Sequence, residues 1–359
     1  MTALDARSKA TQLRAVFEAA GATPVETPVL QPAAALLDLY GEDIRARAYI
    51  TSDALRGEQM LRPDFTVPVV QMHMAEGAEP ACYTYSGKVF RRQEDDLTRA
   101  SEYLQVGFEL FDATAPEQAD ARVFSTIYRS LGGVNLRAAI GDIGILRAAV
   151  TGLNTTDARK SALLRHLWRP HRFRALLDRF SGRTPVPASR RALLQREAHE
   201  RDAPLIGLRS AEEISTRIEA LRNDAAAPPL DAGEVDLLDA VLSIRAKADD
   251  ALMQLQSLLP AMPSVEGAVT GLMARLEALA DTGVDVGALD FEASYGRTQM
   301  EYYDGFVFGF YAETRPDLPP VASGGRYDAL TRQLGQGREI PAVGGVIRPD
   351  LLITLESGS

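Results

Sequence analysis

Gln105 and Glu109 stand four positions apart in the run Glu102–Phe111. On a strand, alternate side chains point to one face. Gln105, Gly107 and Glu109 then share a face, and the glycine leaves room between two polar tips. That pattern builds a polar pocket floor. Arg91 closes the preceding run Ala81–Phe90, and Arg99 follows it. The alternative is an ordinary solvated strand face with a surface ion pair, which needs no function. Other polar groups come from segments far along the chain. Asp64 and Thr66 follow Leu61-Arg62-Pro63, and Glu301-Tyr302-Tyr303-Asp304-Gly305 precedes Gly324-Gly325-Arg326-Tyr327-Asp328. Of Tyr302 and Tyr303, one is expected to face the core as a strand aromatic and the other the pocket.

These residues need a sheet to hold them. Residues 9–20 place Leu13, Val16 and Phe17 on one helical face, and Gly21 ends the segment. Pro24–Leu30 is extended and residues 31–40 are helical. Strands are expected at Gln59–Thr66, Ala81–Phe90, Glu102–Phe111 and Val134–Ile140, with a helix over Pro116–Leu131 between the last two. From Asp142 to Ala280 the text is rich in Arg, Ala and Leu and reads as helical. Ser210 and Glu213 open one of its helices as a capping box, with Ile214, Ile218 and Leu221 as its buried stripe. Strand language resumes at Val284 and runs through Phe306, Phe308 and Phe310. The order strands, helical block, strands implies an α+β fold: one antiparallel sheet domain, residues 1–141 and 285–359, interrupted by a helical insertion, residues 142–284.

The bulk properties exclude several classes. The 359 residues are 46% hydrophobic and 25% charged, which suits a globular core without staples. Cys82 is the one cysteine, so no internal disulfide forms, and the four histidines have no metal-ligand spacing. No metal and no cofactor are expected. The net charge of −10 argues against nucleic acid as a partner. Met1–Ala10 lacks the apolar core of a signal peptide, and no stretch approaches a membrane span. A cytoplasmic protein without membrane contact is expected.

Several motifs resemble class II aminoacyl-tRNA synthetases, specifically histidyl-tRNA synthetase and its paralogues. Phe90-Arg91 resembles motif 2, with Arg99, Gln105 and Glu109 at matching offsets. Leu61–Thr66 resembles the family's L-R-P-E-x-T segment, with Asp64 in place of glutamate. Tyr302-Tyr303 match the paired tyrosines of the histidine-specific loop, Gly324–Asp328 the G-G-R-Y-D segment, and Ala342-Val343-Gly344 the start of motif 3. Pro28 matches the proline of motif 1, which implies a self-dimer. The resemblance spans roughly residues 5–150 and 285–355. It implies a synthetase-like sheet and a histidine site made of Asp64, Thr66, Arg91, Gln105, Glu109, Tyr302 and Tyr303. Asp64, Thr66 and Gln105 would ring the ammonium. Glu109 and one tyrosine would read the two imidazole nitrogens.

The departures from the family pattern point away from adenylate chemistry. Thr298 stands where synthetases carry a cation, Glu301 replaces the loop aspartate, and Arg297 beside them is the candidate for contact with a carboxylate. Leu351 stands where motif 3 ends in the arginine that clamps ATP, with Arg348 in place of the motif's small residue. Gln93, followed by Glu94, stands where motif 2 has its glutamate. Phosphoryl chemistry depends on positioned cations. Residues 352–359 follow motif 3, so no anticodon-binding domain is expected.

This profile resembles one paralogue branch, the regulatory subunits of ATP phosphoribosyltransferase. The resemblance implies a non-catalytic subunit of histidine biosynthesis. It would bind L-histidine and pass allosteric feedback inhibition to a short-form catalytic subunit in a hetero-octamer. The alternatives are a synthetase-like enzyme making an aminoacyl-adenylate for an acceptor other than tRNA, and a scaffold with an empty pocket.

Overall fold

A computed structural model describes residues 3–40, 44–93, 99–195, 207–297 and 302–357. The first part of the chain supplies α1 (Ala3–Ala19), β1 (Thr23–Pro24), β2 (Leu30–Pro32), α2 (Ala33–Tyr40), α3 (Ile44–Arg47), β3 (Ile50–Asp53), β4 (Gly57–Leu61), α4 (Thr66–Glu76), β5 (Ala81–Phe90), β6 (Glu102–Phe111), α5 (Pro116–Ser130) and β7 (Arg137–Asp142). A helical stretch follows: α6 (Ile143–Gly152), α7 (Asp157–Arg165), α8 (Pro170–Phe180), α9 (Ala188–Gln195), α10 (Ala211–Ala226), α11 (Ala232–Ser243), β8 (Arg245–Lys247), α12 (Ala248–Leu258) and α13 (Glu266–Asp281). The chain returns to the sheet with β9 (Asp290–Glu292), β10 (Phe306–Tyr311), β11 (Ala322–Arg326), α14 (Asp328–Leu334), β12 (Ala342–Ile347) and α15 (Pro349–Glu356).

Nine strands form one sheet in the order β1-β5-β6-β12-β11-β10-β7-β9-β8, and β2-β4-β3 form a second, small sheet. The large sheet is antiparallel except at β1 with β5 and β7 with β9, which pair in parallel. The expected antiparallel sheet is observed, with these two parallel pairs within it. β8, from within the helical stretch, pairs with β9 at the sheet edge.

The two faces of the sheet differ in chemistry. Cross-strand partners run Tyr83, Glu109, Gly344, Gly325, Val307 and Gly141 along one row. Two residues along, the row reads Tyr85, Gly107, Val346, Ser323, Gly309 and Ala139. Directly paired residues share a face, so five glycines open this face for other groups to approach. The opposite face carries Phe108, Phe306, Phe308 and Phe310, all fully buried. Phe17 of α1 lies 5.3 Å from Phe108, and Phe124 of α5 lies 5.3 Å from Phe308 and 5.1 Å from Phe310, ring centre to ring centre. Aromatic burial of this kind anchors the sheet from behind.

The same rear face holds a buried ionic network. Asp120 of α5 accepts from Arg275 Nε at 2.7 Å and from Arg326 Nη2 at 2.7 Å. Arg275 also donates to Asp142 Oδ2 at 2.7 Å, and Asp142 Oδ1 caps α6 by accepting from Gly144 N–H. The network joins α5, α13, the start of α6 and the end of β11.

Four local expectations change. Ile214, Ile218 and Leu221 of α10 are half-buried rather than buried. The strand expected over Gln59–Thr66 ends at Leu61, and Thr66 opens α4 instead. Pro63 has no ladder donor, which favours a break there. Val16 is exposed, whereas Leu13 and Phe17 are buried. Tyr302 and Tyr303 lie before β10 rather than on it. No helix among the described residues is long and apolar enough to cross a membrane.

Candidate functional site

Glu109 lies at the centre of the open face and is 1% exposed. Its Oε1 accepts from Thr66 Oγ1 at 2.9 Å and Tyr85 OH at 2.8 Å, and its Oε2 from Tyr327 OH at 2.6 Å. Each donor reaches it for a local reason. Thr66 is the first residue of α4, which lies over the sheet. Tyr85 is paired with Gly107, and its ring fills the space a side chain at 107 would need. Tyr327 immediately follows β11. A carboxylate offers about four acceptor directions, so three hydroxyls leave one for a ligand. Burial pushes the Glu109 carboxyl up to about 7, the three hydroxyls pull it back, and Asp64 adds repulsion.

Glycines set how closely these groups pack. Glu109 lies over Gly344, its partner on β12, and the Tyr303 ring lies 2.8 Å from where a Cβ on Gly325 would be. Tyr302 and Tyr303 are both buried, with ring centres 4.9 Å apart, and Tyr302 lies 6.0 Å from Tyr327. Both tyrosines therefore join the site region, in place of the expected division between core and pocket. Burial, and then the Glu109 charge, push the Tyr303 hydroxyl upward.

Gln105 is 2% exposed, and its Oε1 is buried with no hydrogen-bond partner among the described residues. An unmet buried acceptor is costly. Its strand neighbour is Gly87, where a Cβ would come within 2.8 Å of both Arg62 Nη2 and the Phe65 ring. Phe65 in turn stacks on Tyr85 with ring centres 4.3 Å apart. Asp64, 3% exposed, accepts from Val67 N–H at 3.2 Å in the first turn of α4. Its charge acts on Tyr85, Glu109 and Tyr303, so it faces the same space. Arg91 follows β5, donates Nε–H to the Pro63 carbonyl at 2.8 Å, and acts on Tyr303 as well. The seven sequence candidates Asp64, Thr66, Arg91, Gln105, Glu109, Tyr302 and Tyr303 thus come to one region of one sheet face.

Arg297 is placed differently. It is 5% exposed, donates Nε–H to the Leu167 carbonyl at 2.7 Å, and its guanidinium lies 4.9 Å from the Phe173 ring centre. It is drawn toward α8, although its Nη2 has no partner among the described residues. Thr298, Glu301 and Glu94 lie outside the described residues.

Asp304 fixes the tyrosine segment to the start of α14. It accepts from Asp328 N–H at 3.0 Å and Ala329 N–H at 2.8 Å, and burial pushes its carboxyl up to about 6. Two residues of this site went unassigned as ligands of Glu109 in the sequence: Tyr85 and Tyr327. The signal for Tyr85 is its place opposite Gly107, which requires the register of β5 on β6.

Comparison with known proteins agrees with this architecture. The family model described as histidyl-tRNA synthetase matches residues 1–223 and 215–352. A protein of Brucella anthropi named ATP phosphoribosyltransferase regulatory subunit is 31% identical over 361 residues, covering 95% of each chain. One of the same name from Brucella canis is 32% identical over 364 residues, covering 96% of each. Among solved structures, an ATP phosphoribosyltransferase regulatory subunit/histidyl-tRNA synthetase from Bacillus halodurans superposes with a TM-score of 0.67 at 21% identity, covering 98% of this chain and 79% of that one. A histidine–tRNA ligase subunit from Alicyclobacillus acidocaldarius gives 0.63 at 24% identity, covering 99% and 94%. The fold is that of class II aminoacyl-tRNA synthetases.

Proposed function

Because this chain belongs to the family of ATP phosphoribosyltransferase regulatory subunits, built on the histidyl-tRNA synthetase fold, we propose that its open sheet face binds L-histidine as a feedback signal. The observation that carries this reading is the buried, unpartnered Gln105 Oε1 beside a Glu109 with one acceptor direction left. An ammonium would satisfy Gln105 together with Asp64 and Thr66. An imidazole N–H would take the free direction on Glu109, and Tyr302 or Tyr303 would meet the second ring nitrogen. Arg297, whose Nη2 has no partner among the described residues, is the candidate of the tyrosine segment for the carboxylate.

The chain performs no chemistry in this reading. It acts on a separate short-form catalytic subunit, which it joins in a hetero-octamer in the cytoplasm. A sensor without chemistry influences a reaction only by contacting two states of its partner differently. Typical coupling of about 1–3 kcal/mol changes affinity roughly 5- to 150-fold. We place self-association at the small sheet, where Val29, Leu30, Tyr49 and Ile50 are exposed apolar residues. The division into a sheet domain, 1–141 and 285–359, and an inserted helical block, 142–284, belongs to the same reading.

The test is the partner's phosphoribosyl transfer rate, titrated with histidine, in complexes with wild type and with Glu109→Ala. Inhibition should require far more histidine in the variant. Identical inhibition curves would place the regulatory site elsewhere.

A further inference from the structure

Arg348 stands where the family motif has a small residue, and its position in the sheet gives it a use. β12 pairs with β6 so that Gly344 meets Glu109, Val346 meets Gly107 and Ile347 meets Val106. Arg348 keeps an extended backbone, φ −102° and ψ 100°, and donates its N–H to the Val321 carbonyl at 2.8 Å. Alternation therefore carries residues 344, 346 and 348 along one face. Continued by one step, the register brings Arg348 beside Gln105, on the open face.

The side chain agrees with the backbone. The Arg348 guanidinium lies 4.6 Å from the ring centre of Tyr103, the residue two before Gln105 on the same face of β6. Tyr103 is 8% exposed. Among the described residues Arg348 forms no ion pair, and Asp350 is the carboxylate that acts on it. Burial, and then the like charges of Arg91 and Arg99, weaken its hold on the proton, while Tyr103 and Asp350 oppose them. A largely desolvated guanidinium with no ion pair among the described residues, beside an unmet acceptor that suits an ammonium, places a cation next to the ammonium site. A zwitterion resolves both at once, because its carboxylate lies one carbon from its ammonium.

We infer that Arg348 binds the carboxylate of the amino acid held by Gln105 and Glu109, and so makes the site selective for the intact amino acid over its decarboxylated or reduced analogues. This rests on the amino-acid reading of the site. Arg297, the candidate suggested by the tyrosine segment, has its Nε and one face committed to Leu167 and Phe173.

The experiment is titration calorimetry of the full chain with L-histidine and with L-histidinol, which carries a hydroxymethyl group in place of the carboxylate. Wild type, Arg348→Met, Arg348→Lys and Arg297→Met are compared. Wild type should prefer histidine. Arg348→Met should lose roughly 10- to 100-fold in histidine affinity, the range of one charge-assisted hydrogen bond, and keep histidinol affinity within about 3-fold. Arg348→Lys should retain part of the preference. Retained histidinol binding also reports that the Met variant is folded. Equal losses for both ligands, or a preference erased by Arg297→Met and untouched by Arg348→Met, overturn the assignment. Failure of wild type to bind either ligand overturns the amino-acid reading itself.

Discussion

Gly344 and Glu109 face each other across β12 and β6, and the Glu109 carboxylate occupies the space a Cβ on Gly344 would take. The site is therefore built by deletion as much as by placement. The carboxylate can lie flat over the neighbouring strand because that strand has no side chain there. Two hydroxyls from one side and one from the other then fix its orientation.

Gly344→Ala should displace Glu109 from Thr66, Tyr85 and Tyr327. Overpacking in a tight core costs about 1–3 kcal/mol. Thermal or denaturant melting should show that loss, and ligand binding should fall with it. Wild-type stability and affinity in the variant would mean that the carboxylate moves freely and is not held by its neighbours.

Glu109 should also shape the pH dependence of stability. Its carboxyl is raised from 4.5 to about 7 in the folded chain, so the folded form holds a proton that the unfolded form releases between those values. Stability from this group is full below pH 4.5 and falls as pH rises toward 7. Asp304, raised to about 6, acts in the same direction. His73, buried and lowered to about 4, acts in the opposite one, losing stability as pH falls below 6.5. Comparison with Glu109→Gln removes the shared contributions. Wild type should lose stability relative to the variant between pH 4.5 and 7; a flat difference would mean that Glu109 is ionised throughout.

The rear network should be structural. Arg275→Met leaves Asp142 without its buried cation and Asp120 with Arg326 alone, and breaking such a buried pair costs about 3–5 kcal/mol. Chemical denaturation should register that loss. Because Arg326 precedes Tyr327, whose hydroxyl binds Glu109, a smaller drop in ligand affinity should accompany it. Unchanged stability would show that the network is already compensated without Arg275.

Much of this site was legible because its rules are local. Gln105, Gly107 and Glu109 sit on one face through simple alternation, and β6 spans the expected Glu102–Phe111. The helix over Pro116–Ser130 follows its apolar spacing. What escaped depends on pairing between distant segments. Nothing near Tyr85 in the chain says that Gly107 lies opposite, and nothing near Gly344 says that Glu109 does. Parallel pairing of β7 with β9 likewise joins segments separated by the helical stretch. Pro63 was a readable sign that the strand before Asp64 stops early. Even so, the placement of Thr66 at a helix start follows from how α4 packs over the sheet.

Adenylate formation separates the regulatory reading from an enzymatic one. By its resemblance to motif 3 the chain has Leu351 where a cation is expected, and the Arg348 guanidinium lies over the Tyr103 ring. Histidine-dependent exchange of pyrophosphate into ATP should stay at background with the purified chain. Exchange that scales with this protein, and survives removal of contaminating synthetase, would make it an enzyme.

The most direct measurement is titration of the purified chain with L-histidine, alongside Gln105→Leu and Glu109→Ala. The account predicts saturable binding at one site per chain. Each variant should weaken it by about 1–3 kcal/mol, the cost of leaving a buried polar group of the ligand unpaired. No binding by wild type, or equal affinity in all three proteins, would contradict it.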